Sequence, residues 1–228
     1  MNTLLAIAIG LGAAFNLGFQ PETAPDPGGH EYIFVFLDTG PAEDLTDEQL
    51  GEAFKGHFAN MNRLIEEGKL LLAGPFGESD SGRQHRGLWI FQAPDVEAAL
   101  EFGRTDPTVK AGIFVLDGYR FATAAPVDQL PRLEREDRQR REAEHADEWQ
   151  GRAYIIAIAP MTGEMTGEMT GVFIAGRMIS DNPDQPDRLI LWLDAEDAES
   201  AGELLPDPDR WELHLWYGTK MVERMARE

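Results

Sequence analysis

One helix with both of its ends marked in the sequence constrains the fold of this chain most strongly. Thr46 followed three residues later by Gln49 forms a capping box, and Gly68 stands where a left-handed C-terminal cap is expected. Apolar residues recur between the two caps at three- and four-residue spacing and predict one buried stripe: Leu50, Phe54, Phe58, Met61 and Ile65. His57 interrupts this stripe, so we expect its imidazole at the buried side of the helix or at its margin.

Four segments with strand composition accompany this helix. They are residues 30–38, 69–73, 87–93 and 112–121. Pro94 is predicted at the first position of a second helix, which Gly103 ends. The order strand, helix, strand, strand, helix, strand is typical of a ferredoxin-like unit, in which an antiparallel sheet carries both helices on one face. The other face needs a second sheet, from another subunit or from the rest of the chain.

The rest of the chain echoes this unit in abbreviated form. Residues 126–150 are densely charged with both signs and predict an exposed helix that joins two halves. The segments at Tyr154, Phe173 and Arg188 match the first three strands, but about 21 residues are missing between the first two, the length of a helix of roughly six turns. A Met-Thr-Gly repeat at residues 161–171 stands where the first half has the helix that carries His57.

The sequence therefore predicts an α+β fold of two ferredoxin-like units in one chain, with their sheets packed face to face and with a degenerate second unit that lacks its first helix. We expect the first unit at residues 30–122, a charged helical linker at 123–150 and the second unit at 151–228. An apolar run of signal-peptide length at residues 1–20 favours a periplasmic or secreted protein with no membrane span in its mature form. A cytoplasmic N-terminal helix is the alternative.

Composition excludes several classes of function. A formal net charge of −21 argues against nucleic acid and anionic membrane surfaces as partners. The absence of cysteine excludes disulfides, thiolate nucleophiles and cysteine-type zinc sites. No serine lies in a G-x-S-x-G turn, and the sequence has no glycine-rich phosphate loop or dinucleotide fingerprint. We therefore expect neither α/β-hydrolase chemistry nor a cofactor.

The histidines are dispersed along the chain and do not show the spacing of metal ligands, so we expect no metal site. They are His30, His57, His85, His145 and His214. His214 alternates with Leu213 and Leu215 in a predicted strand, which indicates a surface residue or one whose hydrogen bonds are satisfied in the sheet. The loop at residues 76–86 is either a solvated loop or a mobile segment over a site.

Three motifs follow one another in the first half. They are H-F-A-N-M-N-R-L-I-E-E-G-K-L-L-L-A-G-P, which begins with His57; the Gly74-Pro75 pair at its end; and T-D-P-T-V-K-A-G, which holds Asp106. In this order and spacing, residues 31–121 resemble the YCII-related (YciI-like) domain of the dimeric α/β-barrel superfamily. The resemblance implies an active-site dyad of His57 and Asp106, homodimeric relatives, and a superfamily that acts on small aromatic or lactone-like molecules.

A histidine oriented by a carboxylate is a suitable general base near neutral pH. We therefore predict proton transfer, such as isomerisation or elimination, on a small cyclic substrate, with His57 as the base and Asp106 as its orienting or acid partner. Gly74 and Pro75 are candidate substrate contacts, although the same pair is typical of a strand end.

Alternatives to this function remain open. His57 and Asp106 also suit a purely structural tie between the first helix and the Asp-Pro turn. The chain would then be a non-catalytic ligand-binding or structural module of the same fold.

For its partners we expect a small-molecule ligand and either a homodimer or a pseudo-dimer formed within the chain. The second half has no counterpart of His57, which argues against a symmetrical dimer with two sites and favours a fused pseudo-dimer with one site.

Overall fold

The computed structural model of the chain describes residues 29–77, 85–144, 151–161, 171–182 and 185–227. The predicted export signal at residues 1–20 and most of the Met-Thr-Gly repeat lie outside these ranges. Within the described ranges, no helix combines the length and the apolar composition needed to cross a membrane.

The described residues of the first half form four strands and three α-helices, and the predicted strand and helix order is confirmed. In chain order they are β1 (His30–Thr39), α1 (Asp47–Glu66), β2 (Leu70–Pro75), β3 (His85–Phe91), α2 (Val96–Arg104), α3 (Pro107–Lys110) and β4 (Phe114–Thr123). The strand ends differ from the predicted ones by at most two residues, because turn residues such as Gly74 and Pro75 still pair in the sheet.

Helix α1 has the predicted caps but presents a different face to the sheet. The Thr46 hydroxyl accepts a hydrogen bond from the Gln49 amide at 3.2 Å, and Gln49 Oε1 accepts one from the Thr46 amide at 2.8 Å. Gly68 has φ +70°. The predicted apolar stripe is wrong at Phe58, which is 58% exposed. His57 is buried instead, about 100° around the helix from Phe58. The buried face of α1 therefore lies closer to His57 than the apolar pattern predicted.

The second helix starts later than predicted. Asp95 is the N-cap of α2 and accepts a hydrogen bond from the Ala98 amide at 2.8 Å, so Pro94 precedes the cap and is not the first helical residue. The Asp-Pro turn is also more structured than predicted. Asp106 is the N-cap of α3 and Pro107 is in its first turn.

In the second half, the part of the chain that the structure describes adds four strands and three α-helices. In chain order they are α4 (Leu130–Ala143), β5 (Gly151–Pro160), β6 (Val172–Ile179), β7 (Arg188–Leu193), α5 (Ala198–Leu204), β8 (Glu212–Thr219) and α6 (Met221–Arg227). Helix α4 was predicted to be an exposed connector, but Leu130 and Leu133 near its N-terminus are fully buried. The charge pattern predicted an exposed helix, and this prediction did not include the burial of these two leucines.

The eight strands of the described residues form one antiparallel sheet in the order β2-β3-β1-β4-β6-β7-β5-β8. Strands β4 and β6 pair directly, which joins the two halves edge to edge. The two outermost strands also meet. A bridge pairs Phe76 with Trp216, and the Gly77 amide donates to the Leu215 carbonyl at 2.8 Å. The predicted face-to-face arrangement of two separate sheets is thus replaced by one sheet that closes on itself. The strands that cover the inner face of the first unit come from the same chain.

Closure gives the sheet an inner and an outer face with different contents. The inner face is rich in large aromatic side chains: Phe34, Phe36, Tyr119, Phe121, Tyr154, Trp192 and Trp216. Helices α4 and α6 contribute Leu133 and Val222 to the same cluster. On the outer face, α1 and α2 pack over β1 and β3 around Val35 and Trp89, and α5 packs over β5 and β7.

Closure of the sheet can be tested at Gly74. A Cβ atom at this position would lie 2.3 Å from the Tyr217 carbonyl oxygen and 2.6 Å from the Trp216 ring. We expect Gly74→Ala to lower the free energy of unfolding by about 1–3 kcal/mol, because β2 and β8 would have to separate. Urea denaturation of the purified variant measures this change.

Gly51→Ala is the matched control, since a Cβ at exposed Gly51 in α1 meets nothing within 4 Å. It should raise the free energy of unfolding by roughly 0.5–1 kcal/mol through helix propensity. Equal stability of Gly74→Ala and the wild type would mean that β2 and β8 do not meet as described.

Candidate functional site

His57 lies on the buried side of α1, against the outer face of the sheet. Its side chain is 10% exposed. The imidazole stacks on the Trp89 indole of β3 with ring centroids 5.7 Å apart, and the rings of Phe54 and Phe114 meet it edge-on at 6.1 and 6.0 Å. These three rings leave the imidazole few rotamers, so its polar atoms have a defined direction.

The imidazole of His57 points toward the carboxyl group of Asp106. Its Oδ1 lies 3.1 Å from His57 Nδ1, and its Oδ2 accepts a hydrogen bond from Asn60 Nδ2, also at 3.1 Å. Oδ1 further accepts from the Thr108 amide at 2.9 Å and from the Thr108 hydroxyl at 2.5 Å. The carboxyl group is fully buried and has four donors around it. The structure therefore brings together the two residues predicted from the sequence and adds Asn60 and Thr108.

The protonation state of Asp106 follows from these contacts. Burial raises the pKa of its carboxyl group, but the hydrogen bonds from His57 and Thr108 and the nearby imidazole outweigh burial, so the pKa lies below its ordinary value. An ionised carboxylate only accepts hydrogen bonds, so His57 Nδ1 must carry a proton. In the neutral ring, Nε2 then holds the lone pair that could accept a proton.

Close backbone approach explains why these residues meet. A Cβ at Gly56 of α1 would lie 2.6 Å from Cγ of Pro107, so the glycine lets the Asp-Pro turn pack directly on the helix. The Asn60 amide is oriented in turn, because its Oδ1 accepts from Arg63 Nη2 at 2.8 Å and from the Thr105 hydroxyl at 3.0 Å. Sequence reasoning missed Asn60, although it follows His57 by three residues and so lies on the same helix face.

Gly74 and Pro75 form the end of β2. Gly74 packs against Trp216 and Tyr217 of β8, so its lack of a side chain is explained by the meeting of the two strands. A role for the pair in contacting substrate stays a prediction.

Two further histidines, His85 and His214, lie close together on the inner face of the sheet. His85 Nδ1 is 2.5 Å from Asp38 Oδ1, and the imidazole of His85 is 5.7 Å from that of His214. The prediction that His214 is a surface or hydrogen-bonded residue is wrong, since it is 5% exposed and its Nε2 has no hydrogen-bond partner among the described residues. Glu212 Oε2 lies 3.8 Å from this nitrogen, too far for a hydrogen bond. Burial, followed by the charge of nearby His85, lowers the pKa of His214.

Comparison with known proteins matches the first half of the chain to a protein family. The model of the YCII-related domain matches residues 33–117. The uncharacterized protein YjpA of Bacillus subtilis (strain 168) is 30% identical to this chain over 81 residues, which cover 36% of this chain and 84% of YjpA.

Two solved structures from Listeria innocua were also found, each 14% identical. One is an uncharacterized conserved protein, with a TM-score of 0.18 and coverage of 75% of this chain and 93% of that chain. The other is described as a hydrolase, with a TM-score of 0.17 and coverage of 75% and 94%.

The lowered pKa of Asp106 predicts a pH-dependent contribution to stability. A carboxyl group whose pKa is lower in the folded than in the unfolded state stabilises the fold above its unfolded value, near 3.8, and loses this contribution as the pH falls through the folded value. We expect Asp106→Asn to be less stable than the wild type at neutral pH and the difference to shrink in acid. Urea denaturation of both proteins from neutral pH to about pH 2 measures it. A difference that stays constant across this range would contradict the ionised, hydrogen-bonded carboxylate.

Proposed function

Because this chain belongs to the YCII-related family through residues 33–117, we propose that it is a small-molecule enzyme that uses His57 and Asp106 for proton transfer. The reaction class is isomerisation or elimination on a small cyclic substrate. The single observation that carries this proposal is the contact between His57 Nδ1 and Asp106 Oδ1 at 3.1 Å.

The contact supports a division of roles between the two residues. Asp106 holds the proton on Nδ1 and orients the ring, and Nε2 removes a proton from a carbon next to a carbonyl group of the substrate. The buried carboxylate then stabilises the positive charge that forms on the imidazole. General base catalysis of this kind contributes about 10²- to 10⁴-fold to the rate.

The proposal includes one such site in each chain, within a duplicated fold. The order β6-β7-β5-β8 in the second half corresponds to β2-β3-β1-β4 in the first, which supports two ferredoxin-like units fused as a pseudo-dimer. Strands β5 and β6 are separated by residues 161–171, whereas the 20-residue helix α1 separates β1 from β2. A degenerate second unit without this helix has no equivalent of His57.

A specific observation favours the alternative, a ligand-binding or structural module without catalysis. Asp106 caps α3 and accepts four hydrogen bonds, so the same contacts would serve to pin α1 to α3. In that case, replacing His57 would reduce stability and no reaction would depend on it.

Deuterium exchange distinguishes the two functions without knowledge of the natural substrate. Small lactones and cyclic enones are incubated with the protein in D₂O, and loss of the proton next to the carbonyl group is followed by NMR. We expect the wild type to accelerate exchange of at least one compound and His57→Gln to lose about 100-fold or more of that acceleration.

His30→Gln is the matched control, since His30 stacks on Tyr32 at the start of β1 and takes no part in the His57 contacts. It should exchange the compound at the wild-type rate. If no compound exchanges faster with the wild type than with His57→Gln, proton transfer by His57 is refuted and the module is the remaining function.

A further inference from the structure

The two halves of the closed sheet meet at two junctions of different extent. At one junction, β4 and β6 pair over four residues of each strand. The other junction, which we call the β2–β8 seam, has the bridge of Phe76 with Trp216. Its hydrogen bond runs from the Gly77 amide to the Leu215 carbonyl at 2.8 Å. Within the described part of the chain, opening of this seam therefore breaks few backbone hydrogen bonds.

Two buried histidines face each other at this seam. His85 begins β3, the neighbour of β2, and His214 lies on β8. Their side chains are 3% and 5% exposed, and their ring centroids are 5.7 Å apart. Phe76, which forms the bridge, contacts both rings, at 6.2 Å from His85 and 5.5 Å from His214. Closure of the seam therefore buries the two imidazoles against each other.

Neither imidazole has an acceptor for a proton on its Nε2 atom. The Nε2 atoms of His85 and His214 are both buried, without a hydrogen-bond partner among the described residues. A charged imidazole donates from both of its nitrogen atoms, so each ring would place an N–H group among packed aromatic rings. A buried donor without an acceptor is unfavourable, and a buried positive charge is more so. The closed seam therefore resists protonation of the pair.

One carboxylate can balance one positive charge on the pair. Oδ1 of Asp38 on β1 lies 2.5 Å from His85 Nδ1, so a charge on His85 has a direct partner while the seam is closed. Glu212 is the acidic neighbour of His214 on β8. Its Oε2 lies 3.8 Å from His214 Nε2, but its side chain is 61% exposed, so water screens the attraction. A second charge, on His214, would thus lie close to the first with little compensation.

Two further charged groups, one from each half, lie on the inner face and offset each other. Asp117 of β4 accepts a hydrogen bond from the Tyr119 hydroxyl at 3.0 Å. The guanidinium of Arg188 on β7 lies 5.5 Å from the same ring, so the two opposite charges are close together. On β5, the residue that pairs with His214 is the uncharged Ile156. The contact between the two histidines therefore determines how the seam responds to protons.

We propose that His85 and His214 form an acid-sensitive latch, in which the closed seam holds one positive charge on the pair and a second proton opens the contact between β2 and β8. Burial, followed by the charge of nearby His85, lowers the pKa of His214 below its ordinary value of 6.5. The contribution of this group to closure is fully present above about pH 6.5 and is lost as the pH falls from there to the lower value of the closed state. The latch does not use His57 or Asp106, which meet on the outer face.

Hydrogen exchange of the Gly77 amide measures opening of the seam, since this amide donates across it. Its protection factor, which is corrected for the pH dependence of the intrinsic exchange rate, is followed by ¹H–¹⁵N NMR from pH 7.5 to 5. We expect the factor to fall by about tenfold, because the open state takes up one more proton. The Gly40 amide, which donates to the Ile113 carbonyl at 2.7 Å within the first half, is the internal reference and should keep its protection.

Variants that cannot be protonated at the seam decide the result. In His214→Phe, which keeps a ring, the protection of Gly77 should change by less than about twofold over the same range. His214→Gln should behave alike and guards against poor packing of the larger ring. His30→Gln and His57→Gln should keep the wild-type fall, whatever the outcome of the deuterium-exchange assay. Constant protection of Gly77 in the wild type, an equal fall at Gly40, or an undiminished fall in both His214 variants would overturn the proposal.

Discussion

The structure depends on covering the apolar inner face of its first four strands. Helices α1 and α2 cover only the outer face, which leaves Phe34, Phe36 and Phe121 to be covered by other strands. The second four strands of the same sheet supply this cover, through the pairing of β4 with β6 and the contact of Phe76 with Trp216. Both contacts lie within one chain, so the burial of these aromatic rings depends on closure.

Closure also places buried histidines on two opposite faces of the sheet. On the outer face, His57 of α1 lies against α3 and β3, and among the described residues its Asp106 partner takes its hydrogen bonds from His57, Asn60 and Thr108 of the first half. On the inner face, His85 and His214 come from different halves and meet only because the sheet closes. The outer pair is assembled within the first half of the chain, and the inner pair by contact between the two halves.

This distinction explains which features could be predicted from the sequence. The capping box of α1, the burial of His57 and its meeting with Asp106 rest on spacing within short segments or on a family motif, and these predictions agree with the structure. Phe58 was predicted on the buried face because helix periodicity locates that face only to within one residue. The packing of Gly56 on Pro107 decides which face of α1 turns toward the sheet. His214 was misjudged because alternation in a strand does not show which side becomes the interior of a closed sheet.

Closure within one chain predicts that the stability of the fold does not depend on association with a second copy of the chain. If the chain covers its own inner face, unfolding is a reaction of one chain, and the urea midpoint should stay constant over about a hundredfold range of protein concentration. If the first half instead takes its covering sheet from a second copy, dissociation accompanies unfolding and the midpoint rises with concentration. A constant midpoint is the result this account predicts, and a rising one would contradict closure within the chain.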